Sequence, residues 1–157
     1  MTERLVLLPN RRATKLLARA FARALAPGDL FVLSGPLGSG KTFLVRAVCR
    51  ALGLDAAVPV TSPTFTLVHE HPTVPPLVHA DLYRLTPPTD EAPLEDATVL
   101  GLVEQRDEGK VLFVEWGVPF IESLGGDAIV IDLDVSPRSA QIRATGPCSS
   151  ARIEQLG

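Results

Sequence analysis

The chain has 157 residues, with 15 lysines and arginines against 18 aspartates and glutamates, a formal net charge of −3 and a pI near 5.6. That length allows one domain with a real core, and the acidic balance speaks against a broad basic surface for nucleic acid. The opening Met1-Thr2-Glu3-Arg4 carries both signs of charge and the next apolar run stops at Pro9, so neither a signal peptide nor a membrane span is expected.

Arg4 to Leu8 reads as a strand and Pro9-Asn10 as a turn, with Asn10 placed to cap a helix. Arg11 to Ala26 is an amphipathic helix with Leu16, Leu17, Ala20, Phe21, Ala24 and Leu25 on one face. After Pro27-Gly28-Asp29 comes the short apolar run Leu30 to Leu33, a buried strand, and then the helical spacing of Leu44, Val45, Val48 and Leu52, stopped by Gly53. Phe65 to Glu70 and Leu77 to Leu82 are extended runs joined by a proline-rich link, which suits an antiparallel pair. Thr86 to Pro93 is a loop, Leu94 to Arg106 a helix broken around Gly101, Val111 to Val114 a buried strand and Pro119 to Leu124 a short helix. Ala128 to Val135 is a further strand, beside which Gln141 to Ala144 returns after a turn near Ser136-Pro137. This order predicts an α/β fold: one P-loop domain over residues 1–146 with a mostly parallel sheet flanked by helices, an antiparallel hairpin, and an uninformative tail over 147–157. Cys49 and Cys148 are expected to be free thiols.

Between the Leu30–Leu33 strand and the helix after it lies Gly35-Pro36-Leu37-Gly38-Ser39-Gly40-Lys41-Thr42, the spacing of a phosphate-binding P-loop. In that setting successive backbone N–H groups converge on one concavity, and the helix N-terminus adds partial positive charge. Lys41 would reach the β- and γ-phosphates and the Thr42 hydroxyl would bind Mg²⁺. Pro36 lacks an N–H, but it stands at the start of the loop, before the donors that matter. Such a site needs an acid for the metal and for water. Three apolar strands end in one: LVHAD (Asp81), VLFVE (Glu115) and IVIDLD (Asp132, Asp134). The cleanly buried run before Glu115 favours it as a metal ligand, and the mixed run before Asp81 suits a residue facing a cleft. Asp132 and Asp134 read as solvated strand ends. His69, His71 and His79 lack further ligands for a zinc site. Asn10 is the only asparagine, so the Asn-Lys-x-Asp base-reading motif of a GTPase is absent. The loop from Thr86 to Pro93 has no arginine of the kind that clamps a phosphoryl group in small-molecule kinases, although Arg84 precedes it. From these residues alone an ATPase, a small-molecule phosphotransferase and a nucleotide-binding module without turnover all stay open.

GPLGSGKTFL, VTSPTFTLVHE, LVHADLYRL and LFVEWG follow one another in the order and spacing of the TsaE (YjeE) family, which the chain resembles from about residue 5 to 143. It departs at Pro36, where an acid is common, at Phe43, where Thr or Ser is common, and at Gly117, where proline follows the tryptophan. The resemblance implies a cytoplasmic Mg²⁺-dependent ATPase. It would assist the TsaD–TsaB complex in threonylcarbamoyladenosine modification of tRNA, touching tRNA only through that complex. It further implies ATP binding by Gly38, Ser39, Gly40, Lys41, Thr42, Phe43 and Trp116, with Arg11, Thr14, Pro137 and Arg138 flanking the base. Ser62, Pro63 and Thr64 would form a switch near the γ-phosphate, Asp81 would act with Lys41 and Glu115 in hydrolysis, and Thr42, Glu115 and Asp81 would serve the metal.

Overall fold

A computed structural model describes residues 2–63, 66–86 and 97–157. Seven strands form one sheet in the order β1-β7-β6-β2-β5-β4-β3. They are β1 (Glu3–Leu7), β2 (Leu30–Ser34), β3 (Val68–His71), β4 (Leu77–Asp81), β5 (Val111–Glu115), β6 (Ala128–Val135) and β7 (Arg138–Ala144). The four central strands run parallel: β2 pairs with β5 on one side and β6 on the other, and β5 pairs with β4. The remaining pairings, β1 with β7, β6 with β7 and β3 with β4, are antiparallel. The sheet is therefore mixed, a parallel centre extended by antiparallel strands, β7 and β1 on one side and β3 on the other.

Leu30, Phe31, Val32 and Leu33 are all buried, as are all five residues of β4 and of β5. Such runs need cover on both faces. On one face Leu17, Ala18, Phe21 and Ala24 of α1 (Arg11–Ala24) and Leu44, Val45 and Val48 of α2 (Lys41–Ala51) meet Phe31, Leu33 and Phe113. Phe31 and Phe113 stack 4.3 Å apart, and Phe21 meets Phe31 edge-on at 5.4 Å. On the other face Val99 and Leu102 of α3 (Ala97–Asp107), with Phe120 and Leu124, cover Val32, Leu112 and Val130.

Asn10 caps α1, its Oδ1 accepting the Ala13 N–H at 2.9 Å. Leu16 departs from the expected apolar face. It is 51% exposed, because the packed ridge runs through Leu17, Phe21 and Ala24, and a residue one step earlier is rotated away. Gly101 does not break α3, which is continuous from Ala97 to Asp107; residues 94–96 of the expected helix lie outside the described residues. The short helix expected from Pro119 is a single 3₁₀ turn, Val118–Phe120. The residues after Gly146 form α4 (Pro147–Glu154), and Ile153 and Leu156 join the core on the α1–α2 face.

Asp127 holds the start of α4. Its two carboxylate oxygens accept the Cys148 and Ser149 N–H groups at 3.0 and 2.9 Å, and a Cβ on Gly146 would fall 2.5 Å from Asp127 Cγ. At the same end of the sheet Arg106 donates to the carbonyls of Gly28, Leu124 and Gly126, each at 2.8 Å, and Asp127 at 3.3 Å, tying the α1–β2 loop to the loop before β6. Arg152 reaches Asp29 at 2.8 Å.

Desolvation alone would raise the Asp127 pKa, but the hydrogen bonds from Ser149 and Cys148 outweigh it and hold the carboxyl below its ordinary 3.8. A lowered folded-state pKa adds stability that is present above 3.8 and lost as pH falls through the folded value. Asp127→Ala should therefore destabilise the protein by about 1 kcal/mol at neutral pH. In urea denaturation the gap to wild type should narrow as pH drops below 3.8. A Cβ on Gly101 meets nothing within 4 Å, so Gly101→Ala should raise the denaturation midpoint, with a gain of about 0.5–1 kcal/mol from helix propensity.

Candidate nucleotide site

Because β2, β5 and β4 are parallel, their carboxyl ends share one edge of the sheet, the edge at which open α/β sheets hold ligands. The register sets Leu33 beside Glu115 and Glu115 beside Asp81. The chain leaves β2 through the glycine loop and enters α2 at Lys41. Gly35, Gly38 and Gly40 have φ of 138°, 77° and 100°, a region where a side chain is strained. At Gly35 a Cβ would also stand 2.5 Å from the Leu133 carbonyl oxygen. Gly40 is the N-cap of α2 and supplies no side-chain cap. The first-turn N–H groups of α2 therefore lack a side-chain acceptor at their N-cap.

A cleft of about 560 Å³ opens at this edge, lined by Leu37, Gly38, Gly40, Lys41, Thr42, Phe43, Ser62, Leu67, Asp81, Tyr83, Arg84, Glu115 and Trp116. Lys41 Nζ curls back over its own loop, 2.6 Å from Gly35 O and 3.1 Å from Pro36 O, and lies 4.8 Å from the centre of the Trp116 ring. Burial lowers its pKa from 10.5, partly offset by the charges of Glu115 and Asp81. Thr42 Oγ1 donates to Glu115 Oε2 at 3.0 Å. The same oxygen is 2.5 Å from His79 Nε2; toward an ionised carboxylate, which can only accept, this nitrogen is the donor. Both partners are buried. Asp81 Oδ2 accepts from Ser62 Oγ at 3.1 Å and Oδ1 from the Tyr83 N–H at 2.9 Å. The backbone N–H of Asp81 is bonded to Leu67 O.

The structure thus gathers Lys41, Thr42, Asp81, Glu115, Trp116 and Ser62 at one cleft, and Arg84 lines it as well. Pro63 is buried in the segment after Ser62, and Thr64 lies outside the described residues. Arg11, Thr14 and Arg138 line an adjoining cavity of about 360 Å³ that shares Gly40 and Phe43 with the cleft. Pro137 precedes Arg138 in the β6–β7 turn. Ser34 Oγ and Arg143 engage Asp132, so it stays out of the cleft. His79 is the residue that sequence reasoning passed over. It stands two positions before Asp81 in β4 and so shares its face, a signal that could have found it.

The donor chemistry fits a magnesium ion. Thr42 and Glu115 place a hydroxyl and a carboxylate oxygen side by side, and both are hard oxygen donors. Among the described residues no group of three or more His, Cys, Asp or Glu side chains could cage a metal. Mg²⁺ needs no such cage, since it retains waters and takes phosphate oxygens as ligands.

Among the described residues no helix is long and apolar enough to cross a membrane. A family profile described as "Threonylcarbamoyl adenosine biosynthesis protein TsaE" matches residues 8–143. The tRNA threonylcarbamoyladenosine biosynthesis protein TsaE of Streptomyces coelicolor is 41% identical over 121 residues, spanning 75% of this chain and 76% of that protein. The Bacillus subtilis protein of the same name is 37% identical over 123 residues, 78% and 72% of the two chains. The crystal structure of Bacillus subtilis YdiB superposes with a TM-score of 0.74 at 28% identity, covering 99% of this chain and 94% of that one. With a P-loop at the head of α2, this α/β fold and relatives over most of its length, the chain belongs to the TsaE family of tRNA threonylcarbamoyladenosine biosynthesis.

Proposed function

We propose that the protein is a Mg²⁺-dependent ATPase that drives or resets the TsaD–TsaB complex during threonylcarbamoyladenosine formation in tRNA. The observation that carries this reading is the pairing of Thr42 Oγ1 with Glu115 Oε2 at 3.0 Å, under an N-terminus without a side-chain cap and within one cleft with Lys41 and Asp81. Family membership supports the pathway, and the motif resemblance supports the partners.

Each side chain has a task its surroundings explain. The N–H groups of the glycine loop and the first turn of α2 receive phosphate oxygens. Lys41 exchanges two loop carbonyls for the outer phosphates, a move within reach of a flexible side chain pinned only by Gly35 O, Pro36 O and Ser39 Oγ. Thr42 and Glu115 hold the metal, and His79 fixes the Glu115 carboxylate from behind by donating to Oε2. The metal, when bound, spreads the negative charge of the β- and γ-phosphates. Asp81, oriented by Ser62 and the Tyr83 N–H, accepts a hydrogen bond from the attacking water and positions it. Phe43, Arg11, Thr14 and Arg138 surround the adjoining cavity, which has room for the base.

Phosphoryl transfer depends on positioned charge more than on covalent chemistry. A site whose one buried cation among the described residues is Lys41 should turn over slowly until a partner adds to it. We expect slow phosphate release from the purified chain and a rise with TsaD and TsaB; equal rates with and without them would sink the partner assignment. Glu115→Ala should abolish the stimulated rate. Asp81→Asn should cut kcat by about 10²-fold or more while nucleotide still binds. Trp116, the single tryptophan, gives an independent readout: its fluorescence should change on MgATP addition to wild type and to Asp81→Asn, and much less for Lys41→Ala.

A further inference from the structure

Positive charge in this acidic chain is segregated. Helix α1 carries Arg11, Arg12, Lys15, Arg19 and Arg23, and α2 carries Lys41, Arg46 and Arg50. Those eight are over half of the 15 basic residues in the chain, and neither helix contains an aspartate or glutamate. Arg11, Lys15, Arg19 and Arg23 recur every four residues, so they form a stripe with one charge about every 6 Å along the helix. Lys15, Arg19 and Arg23 are exposed.

Where α1 packs on α2, Lys15 and Arg19 face Arg46 and Arg50 across a groove of about 430 Å³ whose floor includes Ala47 and Phe43. A shallower depression lined by Arg19 and Arg23 continues it. Arg50 is held by the carbonyls of Asp55 and Val58, both at 2.6 Å, and Arg46 by Val60 O at 3.2 Å. These carbonyls fix the guanidinium groups without neutralising them. Elsewhere Lys110, Arg143 and Arg152 sit in ion pairs, but among the described residues the four cations of the groove form none.

We propose that the α1–α2 groove is a docking surface for the ribose-phosphate backbone of RNA, distinct from the nucleotide cleft, with which it shares only Phe43. The evenly spaced cations of α1, facing Arg46 and Arg50 across the groove, suit a chain of phosphates, and guanidinium groups bind phosphate through two parallel N–H bonds. An acidic protein partner fits less well, because binding energy at protein interfaces concentrates on large side chains seated in pockets. Membership of a tRNA-modification family makes RNA the polyanion at hand. The proposal is independent of hydrolysis.

The test is fluorescence anisotropy of the full chain with an unmodified tRNA transcript, without nucleotide, from about 50 to 200 mM salt. Wild type should bind in a strongly salt-dependent manner. Lys15→Gln with Arg19→Gln should weaken binding about tenfold and reduce the salt slope by about two, with thermal stability and phosphate release unchanged. Absence of salt-dependent binding, or equal binding by the double variant, would overturn the proposal. So would equally tight binding to a glutamate polymer of matched charge, which would assign the groove to an acidic protein.

Discussion

Everything at the nucleotide site depends on the parallel register of β2, β5 and β4. Parallel pairing puts three carboxyl ends at one edge, and the register sets Leu33, Glu115 and Asp81 abreast. A slip of one residue in β5 would turn Glu115 to the opposite face, away from Thr42. The register is held by what lies beneath. Phe31 and Phe113 stack between the strands and the α1–α2 layer, and a shifted β5 would have to bury that aromatic pair elsewhere. The stability of the core and the placing of Glu115 beside Thr42 are therefore one constraint, read at two ends of the same strands.

Buried polar groups accumulate at that edge, and most of their polar atoms are hydrogen-bonded, His79 Nδ1 being an exception. Glu115 accepts from both Thr42 and His79, Asp81 from Ser62 and a backbone N–H, and Lys41 donates to loop carbonyls. A buried charge is costly unless it is hydrogen-bonded, so these pairs offset the cost of burying the charges while fixing each donor and acceptor in place. Trp116 adds to this. Its φ of 59° is a conformation that bulky residues seldom adopt. The strand thus turns sharply after Glu115, and the indole is carried to the cleft beside Lys41 and Tyr83.

Much of this was legible in the sequence where pattern and physics coincide. The glycine loop between an apolar run and a helical period marked the site. The acids ending β4 and β5 were visible as the ends of buried runs, and Asn10 as a cap. What escaped lay in contacts distant in sequence. α4 looked like a tail because its cap, Asp127, is about twenty residues upstream and its apolar residue Ile153 joins a core built from elements distant in sequence. Gly101 looked like a break because propensity acts locally, whereas packing through Val99 and Leu102 carries the helix past it. His79 looked idle until β4 was set beside β5. The basic groove was hidden by the net charge, since a sum over the chain says nothing of where the signs lie.

The glycine loop has one fixed end. At Gly35 the backbone lies so close to β6 that a Cβ would clash with Leu133 O, whereas at Gly38 and Gly40 a Cβ would meet nothing within 4 Å. The loop is thus clamped against the sheet at its start, with Ser39 tied back to Pro36 O at 3.1 Å and open space around Gly38 and Gly40. A side chain introduced at Gly35 would have to displace β6, whereas at Gly38 or Gly40 it would meet backbone strain alone.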